Sequence, residues 1–254
     1  MRNVFLFIAI FLPLLAFAQV NESDTLRLQS RLSTTGAWQT GNVEMFTLRG
    51  KLDFSMAIHK KIVLKSQNSY LYQEFFNRRA DEDLFSRNFL YYNPQATIYP
   101  FAIAFIATNF RRQIDLRYFV GAGATWQVLR QKSHLIKLAL SGIYEKTNFN
   151  TTTFNKTEYN GQNQISTWRA TLWLFGKHSL LNNKLILHYD CYVQPSVSQT
   201  DNLRWQAEIG ADVPLYKGFS FTTNYIYTNE SIVAIRQKQA DSILTFGLAY
   251  QIKY

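Results

Sequence analysis

Residues 203–215 read LRWQAEIGADVPL, and this stretch decides the class of fold. Leu203, Trp205, Ala207, Ile209, Ala211, Val213 and Leu215 fall on one side of a period of two, and Arg204, Gln206, Glu208 and Asp212 on the other. Successive side chains of a strand point to opposite faces, whereas a helix would spread both classes around its circumference. The stretch is therefore a strand with one apolar and one charged face.

The same pattern repeats along the chain. In residues 43–56, Phe46, Leu48, Gly50, Leu52, Phe54 and Met56 oppose Thr47, Arg49, Lys51, Asp53 and Ser55. In the last segment Leu244, Phe246, Leu248, Tyr250, Ile252 and Tyr254 oppose Thr245, Gly247, Gln251 and Lys253. Continued throughout, this reading predicts twelve strands near residues 26–38, 43–56, 62–73, 84–92, 96–108, 114–129, 135–147, 164–176, 184–195, 202–215, 219–228 and 242–254. Most are long enough for the ~9–11 tilted residues that cross a bilayer. The fourth and fifth are the least regular: Tyr91-Tyr92 and Phe101 to Ile106 are apolar on both faces, and Pro100 needs a bulge or an equivalent accommodation. An even strand count suits a closed antiparallel barrel with both termini on one side.

If the first strand runs outward from the periplasm, the external loops fall near 74–83, 148–163 and 229–241 and are the three longest connections, while the turns near 93–95, 130–134 and 216–218 are short. Long outer loops and short periplasmic turns mark outer-membrane barrels. Thr40-Gly41-Asn42 is a short external turn, and the inner connection around His178 to Asn183 is longer than the rule expects.

The N-terminus reads as a targeting segment. Arg2 precedes an apolar run from Val4 to Ala16, and Ala16-Phe17-Ala18 supplies small residues around a cleavage point. Residues 1–18 are expected to be a cleaved signal peptide and residues 19–254 one barrel domain. The run is shorter than the ~20 residues a membrane helix needs, and nothing after it qualifies. Cys191, the single cysteine, precludes an internal disulfide and lies on an apolar face with Leu185, Leu187, Tyr189 and Val193. Of 27 Lys and Arg, one leaves with the signal, so 26 face 17 Asp and Glu, a charge of +9. The basic residues form no runs and an exported chain meets little nucleic acid, so no nucleic-acid partner is expected.

A membrane barrel turns its apolar face to lipid and encloses the polar one. A soluble barrel of twelve strands would instead have to fill an over-wide interior with all its aromatic and aliphatic side chains. The candidate lumen-lining residues are therefore Arg27, Arg31, Arg49, Lys51 and Asp53 early in the chain, then Asp115, Arg117, Glu145 and Arg169, and finally His188, Asp190, Arg204, Glu208 and Asp212. Trp38, Tyr70, Tyr72, Tyr91, Tyr92, Trp126, Tyr144, Trp168 and Tyr227 fall near segment ends, where interfacial girdles sit. Phe246, Leu248, Tyr250, Ile252 and Tyr254 look like the C-terminal insertion signal of bacterial outer-membrane proteins.

Particular residues also carry a family resemblance: the Thr40-Gly41-Asn42 turn, the segment from Ile114 to Ala124, the strand Leu138 to Glu145, and the end from Asp241 to Leu248. Together they resemble the salt-induced outer-membrane protein family, the YdiY-like group built on domain of unknown function 481. The resemblance implies an outer-membrane barrel in a Gram-negative bacterium and brings no established activity, ligand or catalytic residue.

The expected partners are outer-membrane lipid and lipopolysaccharide, and the barrel-assembly machinery during insertion. Gly121-Ala122-Gly123 lies within an alternating strand with no helix after it, so it is not read as a phosphate loop. No cofactor is expected, and paired histidines at metal-ligand spacing are missing from the sequence. The external carboxylates Glu74, Asp81, Glu82 and Asp83 offer a calcium or lipopolysaccharide-bridging site, although a solvated loop is the plainer reading. His59, His134 and His178 are expected in turns, leaving His188 to act in a phospholipase-like Ser-His pair if the barrel were an enzyme; no enzyme is expected. Two readings remain: a narrow channel for small, preferentially anionic solutes, favoured by the basic excess on the polar face, and a plugged barrel acting through its outer loops.

Overall fold

The structure is a computed structural model that describes residues 20–254; the expected signal peptide and Gln19 lie outside the described residues. Twelve strands follow one another: β1 (Leu28–Gln39), β2 (Met45–His59), β3 (Ile62–Phe75), β4 (Arg78–Tyr92), β5 (Ile98–Asn109), β6 (Ile114–Arg130), β7 (His134–Phe149), β8 (Gln164–Leu180), β9 (Leu185–Pro195), β10 (Leu203–Tyr216), β11 (Phe219–Glu230) and β12 (Ala240–Lys253). Each pairs antiparallel with its chain neighbours, and β1 pairs with β12, so the sheet closes on itself and leaves no free edge. No described helix is long and apolar enough to cross a membrane, and the crossing is made by strands.

The outer surface carries the apolar half of most alternations, although on β3 and β4 Ser66, Asn68, Ser86 and Asn88 also face outward. Leu32, Leu48, Leu52, Leu140, Leu172, Ile209, Leu244 and Leu248 are all exposed there, ringed by Trp38, Tyr92, Trp126, Tyr144 and Trp168. Soluble proteins rarely expose apolar patches beyond a few hundred Å², whereas a continuous apolar belt suits lipid contact. Phe246, Leu248, Tyr250, Ile252 and Tyr254 all lie on this outer face. Cys191 is half-buried there, outside the lumen. Tyr91 differs from the expected girdle: it is buried in the lumen, because it sits one residue from outward Tyr92 on a strand apolar on both faces.

The loops fall as expected at one end except for 74–83. There β3 runs to Phe75 and β4 starts at Arg78, joined by a two-residue turn in which Phe76 and Asn77 take φ of 49° and 55°. Two successive positive φ values match the twist of a tight hairpin. Arg78 to Asp83 resembles a solvated loop by composition, but Asp81 and Asp83 turn into the lumen and leave the strand intact. The inner connection after His178 shortens likewise: β8 continues to Leu180, and Leu181, Asn182 and Asn183 reverse the chain with positive φ. His59, His134 and His178 accordingly stand at strand ends.

Candidate functional site: the filled lumen

Alternation aims one side chain in two from each strand into the lumen, and closure gathers twelve such rows. Of the fourteen expected lumen residues, twelve face inward and two do not. Arg27 precedes β1 and is exposed at the inner rim. Asp115 is exposed because β6 carries a bulge against β7 between Ile114 and Leu116, which places an extra residue on the outside. The bulge sends both Ile114 and Arg117 inward, three residues apart.

Most of the inward charges pair with one another. The Arg31 guanidinium donates to both oxygens of Asp212 at 2.9 and 3.0 Å, and His188 Nε2 lies 3.7 Å from the same carboxylate. Lys51 pairs with Glu208. Glu145 lies between Arg169 at 3.2 Å and Arg204. Arg117 makes a forked pair with Glu230, both contacts 2.8 Å, and Arg87 pairs with Asp190. These last two pairs join β6 to β11 and β4 to β9, five steps apart around a twelve-strand wall, so they reach nearly straight across the lumen. A charge this deep is tolerated only when paired and hydrogen-bonded.

The rest of the cross-section holds apolar side chains. Phe89, Tyr91, Phe101, Ile103, Phe119, Ile143 and Trp173 form a buried cluster on the β4–β8 side, with Trp173 only 2 % exposed. Phe89 meets Trp173 edge-on at 5.8 Å between centroids, and the Arg87 guanidinium sits 4.6 Å over the Trp173 ring, tying the cluster to the ion pairs. Gly121 and Gly123 face this cluster, and a Cβ on Gly121 would lie 2.6 Å from Ile143 Cγ2. They leave room for bulky neighbours, as expected of them.

Both ends are covered as well. At the inner mouth, residues 20–24 turn back into the barrel. Glu22 pairs with Lys137 at 2.7 Å and Lys65 at 3.1 Å and accepts from the Tyr99 hydroxyl at 2.8 Å. Arg130 and Gln95 each donate to the Ser23 carbonyl at 2.8 Å. Burial alone would push the Glu22 carboxyl up, but the Lys137 and Lys65 ammoniums hold it well below the usual carboxylate range. At the outer end the loops 150–163 and 231–239 lace together: Phe154 bridges Ala234, and Asn155 N–H donates to the Val233 carbonyl at 3.0 Å. Beneath them Ile114, Phe149, Phe154, Tyr159, Ile165 and Ile232 form a second buried cluster. Lys156 ties this cap to the neighbouring 196–202 loop through Asp201 at 2.7 Å.

Separate spaces remain: a cavity of about 80 Å³ mid-lumen beside Asp53 and His188, one of about 220 Å³ under the outer rim, and one of about 400 Å³ at the inner mouth between residues 21–24 and the β6–β7 turn. Among the described residues no group of three or more His, Cys, Asp or Glu side chains could hold a metal ion, and Asp81 is fully buried rather than on a surface loop. His188 points into the lumen, away from the lipid face where a phospholipase-type pair would work.

The family model for a protein of unknown function, DUF481, matches residues 35–252. The chain belongs to the DUF481 family. No curated protein matches this DUF481 chain. Among solved structures it is similar to the NanC porin, at 8% identity and a TM-score of 0.55, covering 87% of this chain and 100% of that one. The translocator domain of autotransporter NalP from Neisseria meningitidis aligns at 14% identity and a TM-score of 0.47 over 89% of each chain. An anion-selective porin from Comamonas acidovorans aligns at 7% identity and 0.41, over 90% of this chain and 99% of that one. The NanC likeness shows that this DUF481 protein shares the β-barrel fold of that porin.

Sequence reasoning missed Glu22, Lys65, Arg87, Glu230 and the aromatic cluster. Glu22 precedes the first alternating segment, and Arg87 and Glu230 lie where alternation is weak. Nothing local marks a partner that only closure brings across the lumen.

Proposed function

We propose that this is an outer-membrane barrel closed across its lumen, a binding or anchoring protein that works from its outer face. The observation that carries this reading is the pair of bridges, Arg87–Asp190 and Arg117–Glu230, spanning opposite walls between the loop cap and the N-terminal stopper. Moving an ion through would require breaking buried, hydrogen-bonded charge pairs. Lipid and lipopolysaccharide are its surroundings, the barrel-assembly machinery its route of insertion, and no catalytic role is assigned to His188.

One observation favours the alternative of a narrow anion-preferring channel: Arg49, Arg111, Arg112, Arg117 and Arg204 all line the outer cavity. Proteoliposome swelling separates the two readings. Vesicles carrying the folded barrel should swell no faster than empty ones in isosmotic solutions of small organic anions or sugars. Swelling that is faster for anions would replace the closed barrel with the channel.

A further inference from the structure

The outer cavity holds four arginines that are already engaged. Arg111 lies 2.9 Å from Asp81, Arg112 pairs with Asp241 at 2.9 Å, Arg117 with Glu230, and Arg204 with Glu145. One basic and one acidic lining group are left over. Arg49 is nine-tenths buried, yet among the described residues its only hydrogen bond is from Nε to Ser69 Oγ at 3.0 Å, and it makes no ion pair. Both terminal nitrogens of its guanidinium are therefore without a protein partner. Asp83 also makes no ion pair, and its Oδ1 is buried with no hydrogen bond.

The register sets these two groups side by side. Arg49 pairs with Leu71 across β2–β3, and Leu71 with Asp83 across β3–β4, so all three stand on one rung and point inward. Adjacent strands lie about 4.8 Å apart, which places the Arg49 and Asp83 backbones roughly 10 Å apart, within the combined reach of the two side chains. Below the rung the wall is apolar and aromatic, with Phe85, Phe105 and Tyr192 lining the same cavity, and Phe105 stacked on Phe119 at 4.5 Å.

We infer that this cavity binds a small zwitterion with an apolar body, of the amino-acid class: its carboxylate on the Arg49 fork, its ammonium on Asp83, its side chain against Phe85, Phe105 and Tyr192. The guanidinium fork matches a carboxylate in shape as well as charge. Asp83 is a buried carboxyl with no cation partner and with a second carboxyl, Asp81, crowding it, so an ammonium arriving beside it offsets both its burial and the like-charge repulsion. The cavity, about 220 Å³, lies below the ~300–1,000 Å³ range of larger-ligand pockets, which restricts the occupant to a single small molecule. The inference rests on the reading that the barrel works from its outer face.

The test is calorimetric titration of the detergent-folded barrel with L-phenylalanine, against 3-phenylpropionate, which lacks the ammonium, and phenethylamine, which lacks the carboxylate. L-Phenylalanine should bind at least ten-fold tighter than either analogue. Arg49→Gln should weaken L-phenylalanine and 3-phenylpropionate alike, whereas Asp83→Asn should weaken L-phenylalanine and leave 3-phenylpropionate unchanged. Equal binding of all three probes, or no L-phenylalanine binding, overturns the inference, and this comparison on the unaltered protein holds even if a variant fails to fold. Swelling assays on the same preparation keep the two proposals apart: a barrel that passes solutes but discriminates the probes sinks the closed-barrel reading alone, and a sealed barrel that ignores them sinks this one alone.

Discussion

Glu22 shows how much of the closed state hangs on single side chains. It is 4 % exposed and anchors the stopper to Lys65, Lys137 and Tyr99 on three different strands. Glu22→Gln keeps the shape but leaves two buried ammoniums without an anion. Losing one partner of a buried pair costs about 3–5 kcal/mol, and hydration at the nearby mouth should bring the loss to the low end. Trypsin cleavage after exposed Arg27 should therefore speed up clearly in the variant; an unchanged rate would show the stopper is not held by this carboxylate. The pH dependence has a definite sign. The Glu22 pKa is lower docked than free, so its contribution is complete above the ordinary carboxylate value of about 4.3 and fades only as pH falls through the lower docked value. Cleavage after Arg27 should be as slow at pH 5.5 as at pH 6.5 once allowance is made for trypsin itself; faster cleavage at pH 5.5 would contradict this. Among residues legible in sequence, Arg31, Lys51, Glu145, Arg204, Glu208 and Asp212 sit on clean alternating strands and face the lumen. Arg27 and Asp115 fail for local reasons, a strand that starts one residue later and a bulge.

All twelve strands were readable as elements, because a period of two survives wherever lipid touches one face and a polar interior the other. The boundaries were less so where the interior departs from that scheme. β4 begins at Arg78 rather than near residue 84, since charges that look solvated can line a lumen. Near Tyr91 and Phe101 both faces are apolar, because the interior there is an aromatic core, and one sequence cannot say which face meets lipid. The assignment of faces has a direct check on β10. Ile209 is 53 % exposed near the middle of that strand and on its lipid side. Arginine at the bilayer midplane destabilises an outer-membrane barrel by about 2–4 kcal/mol. Ile209→Arg should lower the urea midpoint of the barrel in lipid vesicles accordingly. An effect below about 1 kcal/mol would mean that this face does not meet lipid.

At the scale of the whole molecule, twelve strands enclose more space than the eight whose side chains fill a barrel unaided. This chain fills the surplus in three layers: interlaced loops outside, charge bridges with an aromatic wedge at mid-height, and residues 20–24 inside. None of the layers is visible in one strand's sequence, since each depends on residues far apart in the chain meeting after closure, as Phe154 meets Ala234, Arg87 meets Asp190 and Arg117 meets Glu230. The most direct test is electrical. The full mature barrel, inserted into a planar bilayer in symmetric salt, should give no step currents at moderate voltage while gel mobility confirms that it is folded. Steady unitary steps from that same folded protein would contradict the closed lumen.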